Sequence, residues 1–204
     1  MHRNEAARPV KIILASQSVA RRTMLKNAGL NFKIVKPLLD EIALARELQG
    51  ASPAKIALEL AKKKALTVAA KNPDALVIGS DQILLDGGRI MTKAKTREDA
   101  REKLRSLRGK THTLVSAAAV VKGGTVFWSR DDEAQLTMRE FDDEFLDAYC
   151  NVAGDALTRA VGAYEIERAG AWLFSEVRGD HFTILGMPLR PLLAYLHEYH
   201  GVKP

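Results

Sequence analysis

Short apolar runs alternate with helical patterns along the first half of the chain. Strands are predicted for the apolar runs at residues 10–15, 31–36 and 75–85. Helices are predicted between these runs, over residues 21–29 and 54–71. The second helix has a clear start at Ser52-Pro53, because serine caps a helix N-terminus and proline fits the first helical position. This order predicts a mixed α/β (α+β) fold.

Longer extended segments dominate the second half. Turns of hairpin type are predicted at Gly87-Gly88 and at Gly123-Gly124. The extended segments on either side of the second turn predict a large β-hairpin. The remaining predicted elements are helices at 96–109, 141–154 and 188–200 and strands at 171–177 and 182–185. Since there is no internal repeat and no low-complexity linker, the prediction is one domain over residues 1–204, in two lobes that face a cleft.

The composition is that of an ordinary globular protein. Hydrophobic residues make up 47% of the 204 residues and charged residues 27%. No apolar stretch approaches the roughly 20 residues of a membrane span, and the first ten residues lack the apolar core of a secretion signal. A single cysteine, Cys150, cannot form an intramolecular disulfide. We therefore expect a cytoplasmic protein that does not associate with membranes.

The stretch LASQSVARR (14–22) is the first candidate for chemistry. The formal net charge of +6 favours an anionic partner. A strand that passes into a helix through small residues leaves free backbone N–H groups, which bind phosphate. Ser16 and Ser18 add hydroxyl donors, and Arg21 or Arg22 adds a guanidinium that matches phosphate oxygens. In the alternative interpretation, Ser18 only caps the helix and both arginines face water.

Asp81 and two lysines are the second group of candidates. Asp81 falls at the end of the apolar run ALVIGS, where a carboxylate is costly unless a cation or a metal pairs with it. Lys64 falls on the apolar stripe of its helix, whereas Lys62 points elsewhere, so Lys64 should meet an anion. Lys93 could supply a second ammonium group. The alternatives are a turn carboxylate, a lysine that snorkels along the helix edge and an exposed loop lysine.

Several other chemistries lack their motifs. The chain has no Walker P-loop sequence and no G-x-S-x-G elbow of a serine hydrolase. His112 and His181 do not form a metal-binding pattern with Cys150, so both histidines are predicted to be structural. Asp86, which lies beside the turn glycines, is predicted to be structural as well.

Taken in order, these stretches resemble the Maf family of nucleotide pyrophosphatases. The matching motifs are LASxS with its arginines, Asp40-Glu41, Lys64-Ala65, GSDQ (79–82), Lys93, LRGKTH (107–112), VGAYEIE (161–167) and GDHFTILGMPL (179–189). They occur in the family's order and cover nearly the whole chain. The resemblance implies a fold like that of inosine triphosphatases, with an elongated mixed sheet flanked by helices and two lobes around a cleft.

The resemblance also implies a reaction and residues for it. The family hydrolyses a nucleoside triphosphate between the α and β phosphates, which gives a monophosphate and pyrophosphate. The positions that match the family's phosphate contacts are Ser16, Arg21, Lys64 and Lys93. Asp81 matches the proton acceptor, and Glu41 matches an acidic residue that would hold a divalent metal, Mg²⁺ or Mn²⁺, together with Asp81. Family members often pair, so a homodimer is expected.

Three positions bear on the nucleobase. The position of Ala20 holds an arginine in the family branch that acts on thymidine and uridine triphosphates, and an aromatic residue in the branch that acts on 7-methyl-GTP. The alanine of this chain therefore supports neither branch. Gln82 and Glu167 resemble the second branch, and a carboxylate at 167 suits a cationic methylated purine. The sequence therefore favours a 7-methyl-GTP-like substrate, with dTTP and UTP as the second possibility.

Two functions outside this reaction are also considered. The basic excess, with Trp128, Tyr164 and Trp172, would suit a nucleic-acid-binding module, although no alternation of basic and aromatic residues resembles a stacking platform. A regulatory role in septum formation is suggested by the family's name, and catalysis would not exclude it.

Overall fold

A seven-stranded mixed sheet organises the fold. The computed structural model describes residues 10–204, apart from the side chain of Ala45. The strands are β1 (Ile12–Ala15), β2 (Lys33–Ile34), β3 (Leu76–Asp86), β4 (Arg89–Met91), β5 (Thr111–Lys122), β6 (Thr125–Met138) and β7 (Phe174–Arg178). Their order in the sheet is β2-β1-β3-β5-β6-β7, and β4 pairs with β3 beside this path. β1 runs parallel to β2 and β3, and the other pairs are antiparallel, which confirms the mixed α/β prediction.

Helices pack on both faces of the sheet. They are α1 (Val19–Asn27), α2 (Glu41–Glu47), α3 (Pro53–Ala69), α4 (Arg97–Leu107), α5 (Asp143–Ala153), α6 (Ala156–Arg159), α7 (His181–Ile184) and α8 (Leu189–His200), with a 3₁₀ turn at Ala169–Leu173. Ser52 accepts the backbone N–H of Lys55 at the start of α3, and Thr96 forms a capping box with Asp99 at the start of α4. These caps confirm the helix starts predicted from the sequence.

Two late elements differ from the prediction. The segment 182–185, predicted as a strand, lies mostly in α7. The side chain of Asp180 accepts the backbone N–H groups of Phe182 and Thr183, and this cap starts a helical turn. In the other segment, residues 171–173 belong to the 3₁₀ turn, so the strand begins only at Phe174. An apolar run of four residues does not by itself distinguish a strand from a buried helical turn.

β3 continues through the polar residues Ser80, Asp81 and Gln82, as the predicted strand over residues 75–85 requires. Asp81 follows the apolar run ALVIGS but lies in the middle of the 11-residue strand and not at a strand end. Ser80 and Asp81 can stay in the strand because both have partners: Ser80 Oγ donates to the Gly186 carbonyl at 2.9 Å, and Asp81 binds Lys64. Buried polar groups are tolerated when they are paired in this way.

Alternate residues of β3 face opposite sides of the sheet. Ile78 packs in a cluster with residues of α1 and α8, whereas Val77 packs against residues of α3 on the other side. Asp81 shares the face of Val77, and there it meets Lys64 of α3. The strand period therefore directs this carboxylate towards the lysine helix.

One edge of β3 is open between β1 and β4. β1 pairs with β3 only as far as Gly79, and β4 pairs with it only from Leu84 onwards. No strand in the described chain pairs with this edge at residues 80–83. Backbone groups at such a gap need other partners. Arg21 supplies one of them, since its Nη1 donates to the Ser80 carbonyl at 2.9 Å.

Gly79 allows α3 to lie directly on β3. A Cβ atom at this position would lie 2.1 Å from the Ala61 carbonyl oxygen and 2.9 Å from the Ala65 backbone nitrogen. Both atoms belong to the helix backbone, which cannot give way as the end of a side chain can. The close approach brings Lys64 within reach of Asp81.

Gly79→Ala is expected to destabilise the protein strongly, because α3 would have to move away from the sheet. We expect a loss of about 3 kcal/mol or more in the free energy of unfolding, measured by denaturant titration. Gly88→Ala is the control, since Gly88 has φ of +85° but no atom within 4 Å of its Cβ position. Backbone strain alone should cost that variant about 1 kcal/mol. Equal losses in the two variants would contradict the close-packing explanation.

Candidate active site

A cleft of about 630 Å³ opens at the gap in the sheet edge. Parts of the β1–α1 loop, α2, α3, β3, the segment after β4 and the segment 159–167 line it. The predicted site residues that line it are Ser16, Ser18, Arg21, Glu41, Lys64, Asp81, Gln82, Lys93 and Glu167. The fold therefore brings distant parts of the sequence into one site.

Arg21 is a buried cation in the first turn of α1. The residue is only 9% exposed, and its Nε donates to the Gly186 carbonyl at 2.9 Å. Its Nη1 donates to the Ser80 carbonyl at 2.9 Å and contacts Ser16 Oγ at 3.4 Å. These bonds hold the guanidinium in the cleft wall without neutralising its charge.

Ser18 and Arg22 have different positions. Ser18 caps α1 by accepting the backbone N–H of Arg21 at 3.4 Å, so the capping interpretation is confirmed, and Ser18 also lines the cleft. Arg22 is exposed and is not among the cleft residues. Consecutive helix residues point about 100° apart, so the helix that directs Arg21 inward turns Arg22 away. The structure therefore does not support Arg22 as a substrate-binding residue.

Lys64 joins two carboxylates in the cleft. Its Nζ lies 2.6 Å from Asp81 Oδ1 and 3.1 Å from Glu41 Oε2. Lys64 and Asp81 are buried, whereas about half of the Glu41 side chain is exposed. The prediction that Lys64 meets an anion is confirmed, and the snorkelling alternative is wrong. Removing one partner of a buried ion pair leaves the other charge uncompensated. The loss of any one of these three charges should therefore destabilise the charges that remain.

Lys93 brings a second ammonium group to the mouth of the cleft. Partial burial lowers the pKa of Lys93, the charges of Arg21 and Lys64 lower it further, and Glu41 and Asp81 oppose the change. Burial also lowers the pKa of Arg21. Three cations and two carboxylates thus act on one another in one region, which leaves a surplus of positive charge. Such a surplus favours an anionic ligand.

The side-chain amide of Gln82 is bound to the protein through its nitrogen atom alone. Its Nε2 lies 2.9 Å from the Ile184 carbonyl oxygen, 3.1 Å from that of Thr183 and 3.0 Å from Ser116 Oγ. These contacts use both amide protons. The amide oxygen has no hydrogen bond to the described residues, and Gln82 lines the cleft, so this oxygen can accept a hydrogen bond from a ligand.

Two tyrosines anchor the segment 160–167 on the far wall of the cleft. The Tyr164 hydroxyl lies 2.6 Å from His112 Nε2, and the Tyr149 hydroxyl donates to the Ala163 carbonyl at 3.1 Å. Ala163 has φ of +60°, a left-handed conformation that costs a non-glycine residue about 1 kcal/mol or more. The surrounding hydrogen bonds therefore hold a strained segment in place, and His112 has a structural position.

His112 is expected to make folding depend on pH. Burial lowers the pKa of His112 to about 4, against 6.5 for the free side chain, and a weaker effect of Asp86 opposes this. The unfolded chain therefore takes up a proton as the pH falls below about 6.5, whereas the folded chain does so only near pH 4. The contribution of neutral His112 to the free energy of unfolding is therefore fully present above about pH 6.5. Up to about 3 kcal/mol of this free energy is lost when the pH falls to 4.

The measurement compares unfolding free energies of the parent and of His112→Asn between pH 7 and pH 4, because carboxylates also titrate in this range. The variant is expected to be less stable at pH 7 and to depend less on pH. His181→Asn is the control, since His181 is exposed and the variant should keep the parent's pH dependence. Identical pH dependence in the parent and His112→Asn would contradict the assignment.

Arg159 and Glu165 are cleft residues that the sequence analysis does not predict. Both line the cleft, and the Arg159 Nε and Nη2 atoms donate to Glu165 Oε1 at 3.0 and 2.6 Å. Glu165 lies inside the motif VGAYEIE, but an ion pair across an irregular segment leaves no periodic signal in the sequence. Lys36, which also lines the cleft, is a further cation without such a signal.

The carboxylates of Glu41 and Asp81 fit a divalent cation that is shared with a substrate. Both lie within 3.1 Å of the same Lys64 ammonium, so the two groups are close together in the cleft. Residues 10–204 contain no group of three or more side chains suited to hold a metal ion alone. Mg²⁺, however, is usually bound through one or two carboxylates together with substrate phosphates.

Sequence similarity to known proteins extends over nearly the whole chain. A nucleoside triphosphate pyrophosphatase of Nitrobacter hamburgensis is 46% identical over 190 residues, which are 93% of this chain and 94% of that protein. A 7-methyl-GTP pyrophosphatase of Rhizobium etli is 44% identical, over 92% of this chain and 96% of that protein. The profile of the family described as Maf-like protein matches residues 11–199. The chain belongs to the Maf family.

The motifs that suggested the Maf family all lie within the matched residues. Among solved structures, this Maf-like protein is similar to a HAM1 protein from Coxiella burnetii, with a TM-score of 0.42 and 13% identity, over 79% of this chain and 97% of that chain. None of the helices described within residues 10–204 has both the length and the apolar character needed to cross a membrane.

Proposed function

We propose that this Maf-like protein hydrolyses a nucleoside triphosphate between the α and β phosphates and releases a monophosphate and pyrophosphate. The observation that carries the proposal is the convergence of Arg21, Lys64 and Lys93 with Asp81 in one cleft. The similar proteins named nucleoside triphosphate pyrophosphatase and 7-methyl-GTP pyrophosphatase support the same reaction.

The cations of the cleft suit a triphosphate and the transition state of its hydrolysis. Phosphoryl transfer is accelerated mainly by positioning and by neutralising charge on the phosphate oxygens. Arg21 is fixed by two backbone carbonyls, so its charge is in place before the substrate binds. Lys64 and Lys93 add ammonium groups, and the hydroxyl of Ser16 can donate to a phosphate oxygen.

Asp81 is the group that would accept a proton from the attacking water. Its Oδ1 is bound to Lys64 at 2.6 Å, whereas Oδ2 has no hydrogen bond to the described residues. Asp81 lines the cleft, so Oδ2 is available to a water molecule beside the substrate. General base catalysis requires this kind of hydrogen-bonding reach.

A divalent cation, Mg²⁺ or Mn²⁺, would be held by Glu41 and Asp81 together with phosphate oxygens. When bound, it would neutralise part of the phosphate charge. The Lys64 ammonium, which contacts both carboxylates, would add its charge beside the same phosphates.

Charges along the cleft favour a triphosphate whose base is cationic. In the sheet Asp81 pairs with Ala117, and His112 lies five residues further along β5, which is about 17 Å in an extended strand. Tyr164 contacts His112, so the cleft segment 159–167, which carries Glu167, lies towards the His112 end of β5. A cationic methylated purine would meet a carboxylate there, and we therefore place the substrate in the 7-methyl-GTP-like class.

Pyrimidine triphosphates are the second candidate substrates. The free amide oxygen of Gln82 in the cleft can accept a hydrogen bond from the imino N–H of uracil or thymine. UTP and dTTP therefore belong in any test of the substrate.

A screen of common and methylated nucleoside triphosphates, with pyrophosphate and orthophosphate measured separately, tests the proposed reaction. We expect pyrophosphate as the product, fastest release from 7-methyl-GTP, and loss of activity when EDTA removes the divalent metal. Orthophosphate as the first product would overturn the proposal, because it indicates cleavage of the terminal phosphate. Salt-sensitive binding of oligonucleotides without any triphosphate hydrolysis would favour a nucleic-acid-binding function instead.

Two further proposals concern the protein in its cell. A nucleotide hydrolase meets its substrates in the cytoplasm, and cell fractionation can test this location. The homodimer expected from the family can be tested by sedimentation of the full chain.

A further inference from the structure

The wall formed by residues 159–167 carries one paired and one unpaired carboxylate. Arg159 donates twice to Glu165 Oε1, at 3.0 and 2.6 Å, and only 14% of the Glu165 side chain is exposed. Glu167 also lines the cleft and forms no ion pair with any residue of the described chain. The wall thus carries the negative charges of Glu165 and Glu167. The positive charge of Arg159 compensates that of Glu165, which is the more buried of the two.

The Arg159–Glu165 ion pair shares no hydrogen bond or ion pair with the charged residues around Asp81 in the described chain. Lys103 connects the wall to the segment before Lys93, because its Nζ donates to the carbonyls of both Val161 and Thr92. The anchor of the wall at His112 is about 17 Å along β5 from the level of Asp81. A change of charge at residue 159 should act more strongly on a base that lies beside this wall than on phosphates beside Asp81.

We propose that Arg159 is a specificity-determining residue, which pairs with Glu165 and so limits the negative charge that this wall presents to the base of the substrate. The inference rests on the proposed function and deepens it. A base with a fixed positive charge is attracted by both glutamates, and the positive charge of Arg159 weakens this attraction. The paired wall would then accept a neutral purine better than a wall with two free carboxylates.

The ratio of kcat/KM for 7-methyl-GTP to kcat/KM for GTP isolates this effect. The two substrates share the triphosphate and differ in the methyl group and its positive charge, so changes in the chemical step cancel in the ratio. Arg159→Gln should raise the ratio by about three- to tenfold, as expected for one charge several ångströms away in a partly hydrated cleft. Glu165→Gln should lower the ratio, because it leaves the Arg159 charge uncompensated.

Two controls separate charge from structure. Arg159→Lys keeps the positive charge and should keep the ratio near that of the parent. Arg168→Gln removes the same charge from a neighbouring residue whose side chain is 71% exposed, lies 3.9 Å from Glu165 and is not part of the cleft, so its effect should be small. Added salt should reduce the effect of Arg159→Gln, since mobile ions screen exposed charges and do not restore lost packing.

The outcomes distinguish the inference from the function on which it rests. If the parent releases pyrophosphate from both purine substrates but Arg159→Gln leaves the ratio unchanged or lowers it, the inference is overturned and the proposed function stands. If the parent cleaves only pyrimidine triphosphates, the inference is likewise overturned and the pyrophosphatase remains. If the parent cleaves no triphosphate, both are overturned. An Arg159→Gln variant that does not fold leaves Glu165→Gln to decide, and an unchanged or raised ratio there contradicts the inference.

Discussion

Replacing Asp81 by asparagine is expected to reduce kcat for triphosphate hydrolysis by about 100-fold or more. Asparagine has nearly the same shape as aspartate but cannot accept a proton from water. The rest of the cleft is preserved, since Lys64 keeps Glu41 as a partner at 3.1 Å. KM should change less than kcat, because the cations that contact the phosphates remain. Steady-state kinetics with pyrophosphate detection measure both constants.

Asp86→Asn is the matched control for this variant. Asp86 ends the same strand, points to the opposite face and does not line the cleft. Asparagine is also well tolerated in turns, so the hairpin to β4 should form normally. We expect parent-like kinetics for the control. Parent-like turnover in the folded Asp81→Asn protein would show that another group accepts the proton.

Replacing Lys64 by methionine is the second large effect that we expect. Methionine keeps most of the apolar stem but removes the ammonium, and the carboxylates of Asp81 and Glu41 then repel each other in a partly buried site. The triphosphate also loses a cation. Together these changes should lower kcat/KM by about 100-fold or more, as is typical when a preorganised charge is removed from an active site.

Lys62→Met controls for the loss of a lysine from the same helix. Lys62 lies two residues away, and its Nζ pairs with Glu59 at 2.9 Å, with 26% and 31% of the two side chains exposed. Partly exposed pairs of this kind contribute about 1 kcal/mol or less to stability. We expect unchanged kcat/KM and a melting temperature close to that of the parent. Equal losses in the two lysine variants would indicate a general effect of charge and contradict a specific role for Lys64.

Much of the site could be predicted from local patterns. Lys64 falls on the apolar stripe of α3, and a buried stripe position forces a charged side chain to find a partner. Ser18 and Arg21 follow a strand and begin a helix, which is the geometry of an anion site. Such predictions succeed because they depend only on the helix period and on residues close in sequence.

Other features depend on contacts between distant segments. Ser80 and Asp81 remain in the middle of β3 because Gly186 and Lys64 provide their partners, and both partners come from segments that are distant in sequence. The turn α7 depends on the cap from Asp180 more than on its apolar residues. The ion pair of the 159–167 wall likewise depends on how an irregular segment folds back. The exact path of such a segment is determined by tertiary contacts such as that between His112 and Tyr164.

The most direct test of the account is a crystal structure of the Asp81→Asn protein with Mg²⁺ and its preferred nucleoside triphosphate. We predict that the phosphates lie against Arg21, Lys64 and Lys93 beside residue 81, with the metal at Glu41 and the base towards Glu167. A triphosphate bound outside this cleft, or bound with its base beside Lys64 and its phosphates beside Glu167, would contradict the account.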